Sequence, residues 1–426
     1  MIDINLVREN PDLVKKNIKK KFQEDKLKLV DEVVKVDEKW RKLKFDEDKL
    51  RSGRNKISKS INELMKKGEK ADKEIKKAKA IPGKIEKIEK KRKKLEGEIR
   101  EIMFKIPNII SKDVPKGKGE EDNKEIRREG TIRKFDFPVK NHVELIENLG
   151  IGDFESSSKV SGKGFYYLKG DLALLNQALI RFGIDFMNKK GYEYIEVPLM
   201  LNSDALYASL DKAAIDESVY KIEGKDLGLI GTSEQSLLAM HAGDSIHEKD
   251  LPKKYFSYSM CFRQEIGAHG VNEKGLWRTH QFNKVEQFIF CMPEDSEKIY
   301  EELLKNSEEV LKLLELPYRV LEMCSGDLAD WKYKSHDLEV YRPTTKEYGE
   351  VGSLSNCTEY QARKLGIRYL KRNGERGILH TLNDTALATS RMMVCILENN
   401  QQKDGSIKLP KVLQPYMGGM KKIVKK

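Results

Sequence analysis

Two long apolar stripes, each spaced three and four residues apart, are joined by a short polar turn near the start of this 426-residue chain. Val33, Val36, Trp40, Leu43, Leu50, Ile57, Ile61 and Leu64 make the first, with Glu47 and Arg54 at slots it skips. Lys67-Gly68 makes the turn, and Ile75, Ala78, Ile85, Ile88, Leu95, Ile99 and Ile102 make the return. Two matched stripes of this period predict an antiparallel helical hairpin. Pro82 and Gly83 lie inside the second run and predict a bend or local break, because proline removes a backbone donor and crowds the preceding turn. A shorter helix is predicted from Asn10, with Pro11 in its first turn and Leu13, Val14 and Ile18 as its stripe.

The hairpin is rich in lysine, with runs at Lys66-Lys67, Lys76-Lys77 and Lys90 to Lys94. Such runs serve either as a solvated helix face or as a surface that tracks phosphates without reading bases. Over the whole chain 81 Lys and Arg stand against 69 Asp and Glu, a formal charge of +12. That surplus suits a polyanion partner, although solubility alone also accounts for it. The five cysteines are scattered with no CxxC pair, which argues against a disulfide framework and a structural zinc site. The opening MIDINLVREN has no apolar core, and no stretch approaches the length of a membrane span. A cytoplasmic protein is expected.

Beyond a Pro-, Gly- and charge-rich linker, the body is organised around Cys261 to Phe290. This stretch reads as a strand carrying Arg263 and Glu265, a polar loop through Gly267, Gly270 and Gly275, and a returning strand from Trp277. Alternation puts Arg278, His280, Phe282, Lys284 and Glu286 on one face of the return. That face either lines a wet pocket for a polar ligand or meets solvent. Thr232, Ser233 and Glu234 open a helix, where they can cap it, bind a ligand, or both. The Asp171–Lys190 helix is apolar on more than one side and is covered either by its own chain or by a second copy. Glu350 and Ser353 lie where a predicted strand gives way to loop, within reach of a metal or phosphate or simply of water. A further strand is predicted from Ile378 to Leu382, then a turn at Asn383-Asp384, then a helix. Arg391 precedes that helix's apolar run and needs an anion if buried.

These pieces resemble the signature motifs of class II aminoacyl-tRNA synthetases, and of the seryl-tRNA synthetase family in particular. RFGIDFMNKKGYEYIEVP, ending at Pro198, is similar to motif 1; FRQE at 262–265 with RTHQFNKVEQ at 278–287 is similar to motif 2; LNDTALATSR at 382–391 is similar to motif 3. TSE at 232–234, GEVGSLSNCTEYQARK at 349–364 and the opening DINLVRENPDLV resemble the seryl branch. TSE followed by MHAGD is closer to the archaeal type, and the zinc-dependent methanogen type is not matched. Gly231 stands where the family more often has proline, and Gly352 where many relatives carry serine.

The resemblance implies an α+β fold: a class II antiparallel sheet of about six strands flanked by helices, preceded by a long antiparallel coiled-coil arm. It implies a tRNA-binding helical domain at 1–110, a linker at 111–135 and a catalytic domain at 136–426. The implied activity is ATP-dependent activation of L-serine and transfer to tRNA(Ser), or tRNA(Sec) where a cell has one, by a homodimer formed through motif 1. Arg263 would meet the α-phosphate and the serine carboxylate, Glu265 the adenine amino group, Phe282 the adenine ring and Thr279 the nucleotide through its backbone. Arg278 would face the outer phosphates and Arg391 the γ-phosphate from the opposite side. Glu286, with Thr232 and Glu234, would bind the serine ammonium; Asn383 and Thr385 would receive its hydroxyl. Glu350 and Ser353 would hold Mg2+ and phosphate. A noncatalytic coiled-coil RNA-binding protein explains the first hundred residues and the charge, but not the paired arginines and carboxylates of the body.

Overall fold

The computed structural model describes residues 1–209, 215, 217–265 and 274–426. Gly267 and Gly270 of the predicted loop lie outside the described residues. The chain divides into two compact units, residues 2–107 and residues 108–426 together with Met1.

The first unit is helical. A helix the sequence reading did not single out, Ile4–Glu9, is capped by Asp3, whose side chain accepts from the Asn5 N–H at 2.8 Å. Asn10 then caps Pro11–Lys20, accepting from the Leu13 N–H at 3.1 Å. The hairpin helices run Leu27–Lys66 and Asp72–Lys105. The first ends where Gly68 takes φ +72°, so that the Glu69 N–H reaches the Leu64 carbonyl at 2.9 Å and the Gly68 N–H reaches Met65. Glycine adopts this left-handed turn without a Cβ penalty. Pro82 does not break the second helix, which runs through it. Ile81 and Ile85 beside it are buried, and that packing outweighs one missing backbone bond. Glu47, a skipped slot of the stripe, is buried: Arg51 donates to its Oε1 at 2.9 Å and Arg92 of the facing helix to its Oε2 at 2.9 Å.

The second unit holds an eight-stranded sheet. In chain order its strands are β1 Lys124–Glu129, β2 Glu193–Tyr194, β3 Lys253–Phe262, β4 Gln281–Cys291, β5 Tyr318–Glu322, β6 Lys334–Arg342, β7 Glu347–Thr358 and β8 His380–Ala388. Their order across the sheet is β1-β5-β6-β7-β8-β4-β3-β2, antiparallel except for the short β2–β3 pair. The expected linker therefore contains an edge strand, KEIRRE, whose charges suit an exposed edge. The helices Gly170–Lys189, Ser296–Leu313 and Thr389–Asn400 contribute to the main apolar core. Among the described residues no helix is long and apolar enough to cross a membrane.

Several elements differ from their sequence readings. Asn383-Asp384 is not a turn: β8 runs straight through it, pairing Asn383 with Phe288 and Asp384 with Gln287. Turn propensity is local, and two flanking strands supply every ladder partner that overrides it. Arg263 and Glu265 lie just beyond the end of β3, and β4 starts at Gln281 rather than Trp277. The helix His142–Leu149, for which the motifs carry no signal, is capped by Asn141 in a capping box with Glu144.

Candidate active site

β4, β7 and β8 carry their polar residues to one face of the sheet, because alternate residues of a strand share a face. Glu286 pairs with Thr385 across the β4–β8 ladder, and Asn383 lies two residues further along β8. These residues line a cavity of about 510 Å³ together with Thr232, Glu234, Arg263, Glu265, Glu350 and Ser353. A smaller cavity of about 170 Å³ adjoins it, sharing Arg263, Glu265, Lys284, Glu350 and Thr385 and adding Arg278, Thr279, Phe282 and Arg391. Every residue to which the resemblance gives a substrate role thus faces one of two joined spaces, whereas Ser233 and His280 line neither.

At the floor, Thr385 Oγ1 donates to Glu286 Oε2 at 3.3 Å, and Lys284 Nζ lies 2.6 Å from the same oxygen. Thr232 caps the Ser233–Ala239 helix by accepting from the Glu234 N–H at 3.2 Å. Capping and facing the cavity coexist there. Glu234 Oε1 accepts from Gln361 Nε2 at 2.7 Å, and Gln361 is anchored in turn by the Thr381 hydroxyl at 2.8 Å. Burial, then the neighbouring Glu286 charge, push the Glu234 carboxyl above its ordinary range. Asn383 Oδ1 is buried and has no hydrogen-bond partner among the described residues, which leaves an acceptor for a ligand.

The walls are cationic. Arg263 Nε donates to the Gly231 carbonyl at 3.2 Å, and its guanidinium lies 5.2 Å from the centre of the Phe282 ring. Glu265, at φ +51°, accepts from Arg278 Nη1 at 2.9 Å. Arg391 enters from the helix that follows β8. It donates to the Glu350 carbonyl at 2.7 Å, approaches Glu350 Oε2 at 3.1 Å and sits 5.4 Å from the Trp277 ring centre. Arg342 lies over the same ring at 4.3 Å. Gly349 leaves room for that ring, since a Cβ there would collide with it. Buried Glu398 holds the rear of this stack, accepting from Arg342 and Thr344 and meeting His142 at 3.0 Å.

Acidic groups gather beside Ser353. Asp337 pairs with Ser353 across the β6–β7 ladder, and Lys332 Nζ donates to Ser353 Oγ at 3.1 Å. Burial and the Glu350 charge push Asp337 up to about 7. At Glu350 desolvation opposes ionisation, but the Arg391 charge and hydrogen bond outweigh it and hold the carboxyl below its usual range. Asp337 Oδ1 is buried without a hydrogen-bond partner among the described residues. Asp337, Lys332 and Gln361 were not singled out from the sequence, and Lys284 only as one of a face. An aspartate or lysine in a strand or loop, or a glutamine in the Tyr360–Leu365 helix, carries no motif of its own, and only the tertiary structure brings these together.

The fold and this site are those of a class II aminoacyl-tRNA synthetase, and residues 219–400 match the tRNA synthetase class II core domain (G, H, P, S and T). Residues 1–110 match the seryl-tRNA synthetase N-terminal domain. A serine--tRNA ligase of Methanoregula boonei is 45% identical over 419 residues, 98% of this chain and 99% of the relative. The crystal structure of seryl-tRNA synthetase from Pyrococcus horikoshii complexed with ATP has a TM-score of 0.93 at 40% identity, covering 100% of both chains. The cytoplasmic serine-tRNA ligase of Naegleria fowleri in complex with AMP has a TM-score of 0.88 at 34% identity, covering 100% of this chain and 99% of that one. The chain belongs to the seryl-tRNA synthetase family.

Proposed function

We propose that the joined cavities activate L-serine with ATP and that the enzyme then esterifies the 3′ end of tRNA(Ser). The observation that carries this reading is the arrangement around Glu286: a carboxylate and hydroxyl floor, with Arg263 on one wall and Arg391 on another. Glu286 and Glu234 present negative charge to the serine ammonium, with Thr232 beside them. Thr385 and Asn383 receive the hydroxyl, and the unpaired Asn383 oxygen is one acceptor for it. An alanine would leave these groups unsatisfied, which is how a polar pocket rejects an analogue that lacks one hydroxyl.

The serine carboxylate is already ionised, so no protein base is needed for its in-line attack on the α-phosphorus. Arg263 holds that carboxylate and the α-phosphate together, which lowers the entropic part of the barrier. Glu265 accepts from the adenine amino group, Phe282 stacks on the base opposite Arg263, and Thr279 lies along the nucleotide. Arg278 and Arg391 face the outer phosphates and stabilise charge on the departing pyrophosphate. The oxygen donors Glu350 and Ser353, with the unpaired Asp337 oxygen nearby, suit Mg2+, which would supply charge neutralisation on the phosphates.

The lysine runs of the hairpin suit the backbone of an RNA arm, read by shape rather than by base. Exposed Tyr167, Leu174 and Met200 support dimerisation through the motif 1 region, Leu174 lying on the Gly170–Lys189 helix itself. Supply of charged tRNA to translation suits a cytoplasmic enzyme. The reading is tested by pyrophosphate exchange into ATP with serine, alanine, threonine, glycine and cysteine in parallel. Exchange with serine alone is expected, and its absence from folded protein with Mg2+ would overturn the assignment. Removing residues 25–104 should spare exchange and abolish efficient charging of tRNA(Ser); charging of tRNA(Sec) is measured in the same assay.

A further inference from the structure

Behind the sheet lies a group of buried polar side chains that the reaction does not touch. Asp384 sits between Asn383 and Thr385 on β8, so alternation turns its side chain to the opposite face, against the Ser296–Leu313 helix. Its side chain is wholly buried, and no cation pairs with it among the described residues. Asp384 Oδ2 meets Ser307 Oγ and, at 3.2 Å, Gln287 Nε2; Ser307 Oγ also lies 3.2 Å from the Thr385 carbonyl oxygen.

Hydrogen counting orders these contacts. The Ser307 hydroxyl has one proton and cannot donate both to Asp384 and to the Thr385 carbonyl. Both contacts are satisfied when Asp384 carries a proton and donates to Ser307 Oγ, leaving the Ser307 proton for Thr385. Burial favours that form, pushing the Asp384 acid well above its usual range, with the Ser307 hydrogen bond opposing and the Glu286 charge adding to the rise. The site it acts on is local. The β4–β8 ladder slips register immediately after Thr385, a bulge of the kind that re-aims a side chain. On its other side Gly352 packs so closely that a Cβ there would stand 3.1 Å from the Thr385 carbonyl oxygen. That carbonyl is therefore held between Ser307 and Gly352 while the Thr385 hydroxyl faces Glu286.

We propose that neutral Asp384 and Ser307 form a latch behind the sheet that fixes the bulge at Thr385 and so sets the position of its hydroxyl in the amino-acid pocket. Asp384 and Ser307 are positioning residues, and the inference rests on the reading of Thr385 as a contact for the serine hydroxyl.

The test is serine- and alanine-dependent pyrophosphate exchange by the full-length enzyme and its Asp384→Ala, Asp384→Asn, Ser307→Ala, Thr385→Ala and paired Asp384→Ala/Thr385→Ala variants. Asp384→Ala and Ser307→Ala should raise KM for serine roughly tenfold, the scale of one displaced hydrogen bond, and lower the serine-over-alanine preference. KM for ATP and kcat should change by less than about twofold. Asp384→Asn, whose amide donates to Ser307 as the neutral acid does, should recover most of the loss. The paired variant should be no worse than Thr385→Ala alone, because the latch acts through Thr385. Independent, multiplicative losses in the pair, or an Asn variant as impaired as the Ala variant, would overturn the latch while leaving the pocket intact. If Thr385→Ala itself leaves serine KM and the alanine preference unchanged, the pocket reading fails and the latch falls with it. Should Asp384→Ala not fold, Ser307→Ala and Ser307→Ala/Thr385→Ala carry the same comparison.

Discussion

Lys284 Nζ lies 2.6 Å from Glu286 Oε2, and the two side chains are 7% and 2% exposed. They stand two residues apart on β4 and so share its front face. Glu286 is the carboxylate proposed to meet the serine ammonium, and it already carries a cation.

Lys284→Met should therefore destabilise the protein by about 3 kcal/mol in urea unfolding, since breaking a buried pair leaves one charge uncompensated. Saturating serine should raise the melting temperature of this variant more than that of the wild type, because the substrate ammonium replaces the lost lysine. Equal serine-induced shifts would show that the ammonium binds elsewhere.

Asp337 supplies a pH signature. Its acid is pushed up to about 7 by burial and the Glu350 charge, against 3.8 for the free group. Below about pH 4 both folded and unfolded states hold the proton; between about 4 and 7 only the folded state does. This group's contribution to stability thus falls as pH rises through that window. Melting temperatures of wild type and Asp337→Asn across pH 4–8 should show the wild type losing ground up to about 7 and no further change above it.

Glu398 acts in the opposite sense. Burial opposes its ionisation, but His142, Arg342 and Thr344 outweigh that and hold it at about 2, against 4.5 for the free group. Its stabilisation is present above about 4.5 and is lost as pH falls toward 2. Glu398→Gln should cost roughly 3 kcal/mol at pH 7 by the same linkage and much less at pH 3. Because Arg342 stacks on Trp277 and Trp277 on Arg391, the variant should also raise KM for ATP, measured by exchange at saturating serine.

Glu47 tests the arm. Its carboxylate is held by Arg51 and Arg92, so Glu47→Leu, which continues the apolar stripe, should leave amide hydrogen exchange in Leu27–Lys66 as slow as in the wild type. Arg92→Ala removes the cross-hairpin partner and should speed exchange near Glu47 several-fold. The reverse ranking would show that the Glu47 carboxylate, held by Arg51, secures the hairpin without Arg92.

The hairpin was legible because its signal repeats: the three-and-four spacing recurs along both helices, and Gly68 ends the first where a left-handed turn needs glycine. A break at Pro82 does not occur, for the same reason of locality, since its cost is set by the residue and its compensation by the facing helix. Arg263, Glu286 and Arg391 could be named from motifs, but Asn383-Asp384 looked like a turn until β4 and β7 supplied partners on either side.

By itself the sequence determined which residues are polar, at what spacing, and hence the family pattern, the helical arm and the roster of arginines and carboxylates. Only the tertiary structure decided which of them meet. A ladder between strands distant along the chain puts Thr385 opposite Glu286 and Ser353 opposite Asp337, and a helix behind the sheet brings Ser307 to Asp384. The protonation of Asp337 and Asp384 follows from that company, because charge in a buried site depends on distance to other charges and on excluded water, neither of which is written along the chain.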